Sequence, residues 1–262
     1  MGAEDPSRGP RPAPQGTGER LNRFLARSGV ASRRAADALI SSGAVRVNGD
    51  RPPATGLLID PDRDTVTVDG RRVKPPATHR YVMLNKPLGA ITTARDEASR
   101  RTVLDVVGEE GAHGHRLFPV GRLDADSTGL LILTDDGDLA YRLTHPRYEV
   151  GKEYVVEVGG ALTKKDVEGL RSGVELADGV TAPADVEVLR STANRAEVRL
   201  VIHEGRHRQV RRMFEAVGLK TLALRRTAFG PLKLGRLKTG GWRLLTTGEV
   251  TALRRATGLD SR

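Results

Sequence analysis

The chain has 262 residues, enough for one full-sized globular core and a small additional module. Its net charge of +10 favours a polyanionic partner, because basic side chains that neutralise phosphates release counterions. The absence of cysteine excludes disulfides and thiolate-metal sites, and the six His residues show no metal-ligand spacing. No apolar run approaches the roughly 20 residues of a membrane-spanning helix. Composition therefore predicts a cytoplasmic, metal-free protein that binds nucleic acid.

Composition changes along the chain and predicts five segments. Residues 1–18 are rich in Pro and Gly and lack an apolar pattern, which is typical of a disordered tail. Residues 19–74 form a compact basic unit, and the paired prolines within residues 75–79 indicate a short linker. Residues 80–253 alternate between strand and helix patterns and should form the larger domain. Residues 254–262 are expected to fray.

The basic unit begins with two short helical patterns. In the first helix the apolar residues recur at i, i+3 and i+4 from Leu21, and Gly29 ends the pattern. Ser32 is a suitable N-cap for the second helix, which should end at Gly43. Strand patterns follow in residues 44–47, before an Asn-Gly turn, and in residues 65–68.

Two adjacent arginines stand in the first turn of the second helix, where cations oppose the helix dipole. This placement favours a phosphate ligand, because the helix N-terminus and both guanidiniums would bind it together; a solvated basic face is the alternative. Residues 19–51 carry seven Arg and three acidic residues. The segment resembles the alpha-L RNA-binding module of ribosomal small-subunit protein S-four. That resemblance implies RNA contacts by basic side chains of the module, namely Arg20, Arg23, Arg33 and Arg34.

A polar loop bounded by glycines, residues 121–129, lies between two strand patterns of the larger domain. Asp124 stands inside this loop, and loops on rigid strands often carry catalytic groups. Four Arg and no acidic residue follow between residues 206 and 212, in a segment whose interleaved Gln209 and Val210 suggest that one side packs and the other faces an anion. A solvated charge run is the simpler alternative. We predict strands at residues 81–84, 117–120, 130–134, 154–158, 196–202, 222–229 and 242–245, and helices at 162–170 and from His203 to about Gly218.

Five short motifs of the larger domain stand in order along the chain: Asn85-Lys86-Pro87 with Gly89, Gly121-Arg122-Leu123-Asp124 with Ser127 and Gly129, Lys152 with Tyr154, Glu204-Gly205-Arg206 with residues 208–213, and Leu224 with Arg226. Together with the preceding module, these motifs resemble the RsuA/RluB family of ribosomal RNA pseudouridine synthases across residues 19–253. The resemblance implies an α+β fold, with a long mixed, mainly antiparallel sheet flanked by helices, and a reaction that needs no cofactor. The motifs are closer to the synthase B branch of the family, which favours large-subunit RNA as the partner. His207 departs from the family, which often has Asn at that position.

The resemblance assigns catalysis to the carboxylate of Asp124, which would either attack the ribose or remove a proton from it. Arg206 would keep that carboxylate ionised against the effect of burial. Tyr154 would stack on the flipped uracil and assist proton transfer, whereas an ordinary strand aromatic is the alternative. Asp126 is expected to be a structural residue of the loop. Lys86 is expected to contact an RNA phosphate or to be structural, and further substrate contacts are expected from Arg122, Leu224, Arg208, Gln209 and Arg211.

Two other functions compete with an isomerase. A non-catalytic assembly factor that binds ribosomal RNA could share the fold, but it would have no need of Asp124, Tyr154 and Arg206 together. An RNA methyltransferase would need a Gly-rich loop after a strand for its nucleoside cofactor, and the sequence has none. We therefore expect a monomeric enzyme that converts a uridine of ribosomal RNA, with large-subunit RNA preferred, to pseudouridine.

Overall fold

A computed structural model describes residues 18–53, 56–94, 96 and 98–259. The predicted tail, residues 1–18, lies outside these residues apart from Gly18. The described chain separates into two compact units that divide between Thr78 and His79. This division falls within the segment that the sequence predicts as a linker.

The first unit has two helices and two small sheets among its described residues. The predicted apolar face of the first helix is buried. Ser32 accepts a hydrogen bond from the Ala35 amide, and Gly43 ends the second helix in the left-handed conformation. The elements are β1 (Glu19–Arg20), α1 (Leu21–Arg27), α2 (Arg33–Ser42), β2 (Val45–Val47), β3 (Leu58–Ile59), β4 (Val66–Val68) and β5 (Arg71–Val73).

The second unit is built on a mixed sheet with nine strands in the described residues. Its elements are β6 (Tyr81–Lys86), α3 (Val103–Ala112), β7 (Phe118–Pro119), β8 (Thr128–Thr134), α4 (Gly137–Thr144), a 3₁₀ turn (Pro146–Tyr148), β9 (Lys152–Gly159), α5 (Lys164–Ser172), β10 (Glu175–Leu176), β11 (Gly179–Val180), β12 (Asp185–Ser191), β13 (Arg195–Ile202), α6 (Gln209–Ala216), β14 (Lys220–Phe229), β15 (Leu232–Lys233), β16 (Trp242–Leu244) and α7 (Thr247–Ala256). The main strand order is β12-β13-β9-β14-β8-β6-β16, with β15 beside β14 and β7 beside β8. Within this described sheet β8 and β14 run parallel and the other pairs are antiparallel.

Helices cover both faces of this sheet. Successive strand residues point to opposite faces, and in β8 Leu131 and Leu133 join one apolar cluster while Leu130 and Ile132 join another. The first cluster includes side chains of α3, α5 and α6, and the second includes side chains of α4 and α7. The expected α+β fold, with a long mixed and mainly antiparallel sheet flanked by helices, is confirmed.

Glycine at position 129 allows the parallel pair to form. Gly129 lies opposite Arg226 in the β8–β14 register and has a φ of 104°. A Cβ at this position would overlap the carbonyl oxygen of Arg226. The close approach of the two backbones therefore requires glycine, and it places the loop before β8 next to β14.

Two boundaries differ from the sequence expectation by more than two residues. The sequence predicts a helix from His203, but α6 begins only at Gln209, because Arg208 adopts the left-handed conformation with a φ of 49°. The sequence also predicts fraying of residues 254–262, but α7 continues to Ala256. It does so because Arg142 donates hydrogen bonds to two carbonyl oxygens just beyond the helix. No helix in the described part of the chain is long and apolar enough to cross a membrane.

Candidate active site

A cavity of about 390 Å³ opens where the loop between β7 and β8 meets β9, β14 and the loop before α6. Because β9 and β14 are neighbours in the sheet and β14 pairs with β8, the fold brings together segments that are distant in the sequence. Many of the residues expected from the motifs line this cavity, namely Arg122, Asp124, Tyr154, Arg206, Arg208, Gln209 and Leu224.

Asp124 presents a carboxylate to the cavity. Its side chain is 27% exposed, so a ligand in the cavity can reach it. Its Oδ2 lies 3.6 Å from Nη1 of Arg208, which also contacts Oδ2 of Asp126 through Nη2 at 3.2 Å. One guanidinium therefore spans both carboxylates of the loop and provides a positive charge beside Asp124.

The backbone of the Asp124 loop is held by hydrogen bonds at every carbonyl oxygen from Leu123 to Ser127. A group with this many backbone contacts is fixed before any ligand arrives, which is the condition for accurate placement of a catalytic side chain. The donors, in order along the loop, are Thr92 Oγ1 at 2.6 Å, Ser127 N at 3.0 Å, Gly89 N at 2.8 Å, Arg211 Nη2 at 2.9 Å and Lys86 Nζ at 2.7 Å.

Lys86 lies beneath this loop. Its side chain is completely buried, and its ammonium group donates to the carbonyl oxygens of Ser127 and Pro87. Burial lowers the pKa of Lys86 to about 8, although the charges of Asp124 and Asp126 oppose that shift. The expected contact of Lys86 with an RNA phosphate is wrong, because the motif containing Lys86 supports the loop from inside the protein.

Arg206 points away from Asp124. Its guanidinium nitrogens donate to the carbonyl oxygens of Gly179 and Val180, at 2.8 and 2.7 Å, and Nε lies 3.2 Å from a Glu204 carboxylate oxygen. It therefore fixes the loop before α6 to the β10–β11 hairpin. The expected pairing of Arg206 with Asp124 is wrong, and Arg208 provides that cation instead.

Arg211 and Asp126 also support the loop. Arg211 is buried behind the loop and lies 3.2 Å from Asp126 in an ion pair, so the expected substrate contact of Arg211 is wrong. Burial opposes ionisation of Asp126, but the hydrogen bond from Arg208 and the charges of Arg211 and Arg208 outweigh it and lower the pKa of Asp126. These contacts fit the structural role expected of Asp126.

Gln209 lines the cavity, but its amide group binds the loop before α6. The amide oxygen accepts from the Arg206 backbone at 2.9 Å, and the amide nitrogen donates to Glu204 at 2.6 Å. Its expected contact with substrate stays a prediction.

Tyr154 and Leu224 form an apolar part of the cavity wall. They lie on the adjacent strands β9 and β14 and are each 7% exposed. An aromatic ring and an aliphatic side chain on neighbouring strands suit the two faces of a planar base. Their contacts with uracil remain predictions.

Lys152 and Arg226 are two cations of the cavity to which the sequence assigns no role. Arg226 is buried; its Nε donates to the Leu130 carbonyl at 2.7 Å, and its Nη2 has no hydrogen-bond partner among the described residues. Burial and the charge of Arg226 lower the pKa of Lys152 to about 8. Strand alternation could have found both residues, since each stands two positions from a residue predicted to contact uracil, Tyr154 or Leu224.

The basic residues predicted to bind RNA in the first unit lie at its surface. Arg33 and Arg34 are exposed in the first turn of α2, and Arg20 is exposed in β1. Arg23 is also exposed, with its Nε 3.4 Å from Glu19. Their RNA contacts stay predictions. Among the described residues, no group of three or more His, Asp or Glu is placed to hold a metal ion.

Comparisons with known proteins show which family this chain belongs to. Residues 80–216 match the family model described as RNA pseudouridylate synthase, and residues 19–51 match the S4 domain. An uncharacterized RNA pseudouridine synthase of Aquifex aeolicus is 42% identical over 92% of this chain and 95% of its own length. Ribosomal large subunit pseudouridine synthase B of Bacillus subtilis is 42% identical over 90% of this chain and 96% of its own.

One solved structure is also similar to this chain. A crystal structure described as a pseudouridylate synthase is 31% identical, with a TM-score of 0.65 over 89% of this chain and 99% of the other. The family model covers more than half of this chain, and the relatives match it over almost their whole length. The chain therefore belongs to the RNA pseudouridylate synthase family and carries an S4 domain before its catalytic domain.

Proposed function

We propose that the protein converts a uridine of large-subunit ribosomal RNA to pseudouridine, with Asp124 as the catalytic carboxylate. The observation that carries this proposal is the placement of Asp124: a reachable carboxylate, in a basic cavity, on a loop whose carbonyl oxygens from Leu123 to Ser127 are all hydrogen-bonded. A volume of about 390 Å³ lies within the range of small-ligand sites. This suits a single nucleotide that has left the stack of an RNA helix.

The reaction breaks the bond between ribose C1′ and uracil N1, turns the base and forms a bond from C1′ to C5. Asp124 either attacks C1′ or removes a ribose proton, and both roles use the ionised carboxylate. Uracil takes up the electron pair of the broken bond and carries negative charge as it leaves. After reattachment N1 gains a proton and C5 loses one, so the reaction is an isomerisation.

The cations of the cavity favour the charged species of this reaction. Arg208 places a positive charge 3.6 Å from the Asp124 carboxylate. Buried Arg226 and half-buried Lys152 add two basic side chains to the same cavity lining, and the unpartnered Nη2 of Arg226 is suited to a uracil oxygen. Preorganised donors of this kind stabilise negative charge that develops in a transition state. Tyr154 and Leu224 hold the base between them while it turns.

The Bacillus subtilis relative is named as a pseudouridine synthase of the ribosomal large subunit, which supports large-subunit RNA as the substrate. The protein is proposed to act in the cytoplasm as a monomer. Exposed Arg33 and Arg34 of the first unit are proposed to bind RNA phosphates.

The proposal is tested by mapping pseudouridines in ribosomal RNA from cells with and without the gene. We expect at least one large-subunit pseudouridine to disappear without the gene and to return when the wild-type gene is restored. A gene for Asp124→Asn should fail to restore it. An unchanged map would favour the non-catalytic assembly factor, and a loss confined to small-subunit RNA would overturn the choice of substrate.

A further inference from the structure

Three aromatic rings meet at the surface at the end of α4. The ring centroids of Tyr141 and His145 are 4.9 Å apart, and each ring lies 6.3 Å from the ring of Tyr148. Tyr141 is 51% exposed although it is a large aromatic side chain. The chain has only four Tyr, so two of them stand in this cluster, which we call the Tyr141 platform (Tyr141, His145 and Tyr148).

Two arginines flank the platform. The guanidinium carbons of Arg142 and Arg147 lie 5.4 and 5.0 Å from the ring centroid of Tyr148. Arg142 is held by hydrogen bonds to the carbonyl oxygens of Thr257 and Gly258, so one flank of the platform is fixed. Asp138 and Glu149 are the acidic residues nearest in the sequence, and both are exposed.

The platform adjoins the candidate active site. Thr144 lines the cavity, and it follows Tyr141 by three positions in α4, so both lie on one side of the helix. His145 is the next residue after Thr144. Across the cavity rim, a Cβ on Gly121, the first residue of the Asp124 motif, would lie 3.4 Å from the Thr144 methyl group. The exposed ring of Tyr141 is therefore about one helical turn from the space proposed for the target uridine.

We infer that the Tyr141 platform binds a nucleobase of single-stranded RNA next to the target uridine. Proteins that bind single-stranded RNA stack bases on exposed aromatic rings, with arginines contacting the backbone. A base that neighbours a flipped nucleotide has lost a stacking partner, and the platform offers a replacement beside the cavity. The inference rests on the proposed function for the identity of the RNA, but the platform's affinity for single-stranded RNA can be measured independently.

The experiment compares full-length wild-type protein with Tyr141→Ala, Tyr141→Phe and a matched control, Leu189→Ala. Leu189 is 43% exposed on β12 and belongs to neither site. The probe is a fluorescein-labelled oligonucleotide of twelve uridines, with a duplex RNA of the same length as comparison. We expect Tyr141→Ala to bind the single strand about tenfold more weakly, and Tyr141→Phe to bind like wild type because the ring remains. Duplex binding should not change.

Salt dependence separates stacking from phosphate contact. Tyr141→Ala should leave the slope of log affinity against log salt unchanged, whereas Arg147→Gln should reduce that slope by about one. A second probe, with 5-iodouridine in the single strand, should crosslink to Tyr141 or Tyr148 on irradiation. If Tyr141→Ala and Leu189→Ala bind and crosslink alike, the inference is overturned. If circular dichroism shows that Tyr141→Ala does not fold, the crosslink of the wild-type protein decides: a crosslink to Tyr141 or Tyr148 supports the inference, and its absence overturns it.

The outcome is distinguishable from that of the proposed function. If the pseudouridine map is unchanged without the gene but Tyr141→Ala still loses single-strand affinity, the platform stands and the isomerase fails. If the map changes, Tyr141→Ala should raise KM for the RNA fragment that contains the affected uridine and leave kcat near the wild-type value. If KM and single-strand binding are both unchanged in Tyr141→Ala, the inference is overturned. The platform would then bind a partner other than RNA, with a ribosomal protein as the next candidate.

Discussion

Two arrangements fix the position of Asp124 and place a positive charge beside it. The backbone of its loop is held by donors from three other segments, and its carboxylate lies beside Arg208. Sequence motifs found the aspartate because its residue pattern is distinctive. They assigned the cation wrongly, because the left-handed backbone at Arg208 turns the two neighbouring arginines in different directions, and such a conformation is not evident from the residue type.

Arg208→Gln should therefore lower kcat by about tenfold to a hundredfold, because a charge beside the reacting carboxylate is lost. Arg199→Gln is the matched control: Arg199 has a similar exposed fraction, 37% against 39%, and also contacts two carboxylates. Single-turnover kinetics on a ribosomal RNA fragment that contains the affected uridine measure the rate of each variant. Equal rates for the two variants would exclude Arg208 as the partner of Asp124.

Burial of Lys86 gives the protein a distinctive dependence of stability on pH. The pKa of Lys86 is lowered to about 8 in the folded protein, against an ordinary value of 10.5 in the unfolded chain. Above about pH 8 the folded protein has released this proton and the unfolded chain has not, so stability rises with pH up to about 10.5; below about pH 8 the cost of burying the charge is fully present.

Lys86→Met should make the rise in stability between pH 7 and pH 9.5 smaller than in the wild type. It should also lower the stability at pH 9.5, since the Ser127 carbonyl loses its donor. Urea unfolding at several pH values measures the free energy of unfolding of both proteins. Parallel curves for the two proteins would show that Lys86 keeps its ordinary pKa when folded.

At the scale of elements, the strands were more predictable than the helices. Residues of β8 and β13 form apolar or alternating runs that the sequence shows plainly. The helices α3, α4 and α7 were not predicted. In α3, Thr102 and Asp105 form a capping box, but Gly108 is non-helical and interrupts the pattern; α4 is only eight residues long. The edge strand β12 was not predicted either, because most of its residues are exposed and its sequence shows no buried apolar face.

The contact between β8 and β14 gives a test of the fold around the site. Gly129→Ala should lower the free energy of unfolding by more than about 2 kcal/mol, because the added methyl group would overlap the Arg226 backbone and the φ of 104° disfavours alanine. Gly137→Ala, at the start of α4, has open space around the new Cβ and should be neutral or slightly stabilising. Thermal unfolding measures the stability of Gly129→Ala and of Gly137→Ala. Equal stabilities would mean that β14 does not approach β8 this closely.

At the scale of the whole molecule, contacts with RNA phosphates are assigned to the first unit and catalysis to the second. The division into two units was visible in the sequence as a change from a basic module to a longer alternating pattern, with paired prolines between them. Helix N-caps also guided this reading, since Ser32 caps α2 as predicted. The loop before α6 could not be predicted in detail, because its shape depends on contacts with the β10–β11 hairpin.

Arg33→Ala combined with Arg34→Ala should weaken binding of ribosomal RNA and reduce the salt slope by about two, since two phosphate contacts would be lost. The rate of the bound complex should stay near the wild-type value. Arg63→Ala, which removes an exposed arginine of the same unit that lies 3.8 Å from Asp60, is the control. An unchanged salt slope in the double variant would exclude these arginines as a phosphate site.

The central claim is that one carboxylate, Asp124, performs the isomerisation. The most direct measurement is single-turnover formation of pseudouridine on the ribosomal RNA fragment by Asp124→Asn and Asp126→Asn, with folding checked by circular dichroism and RNA binding by filter retention. Asp124→Asn should fold and bind RNA while product formation disappears, because the side chain keeps its size and loses its charge and basicity. Asp126→Asn should retain most of the activity, since Asp126 supports the loop through Arg208 and Arg211. A folded Asp124→Asn that keeps substantial activity, while Asp126→Asn loses it, would contradict the assignment.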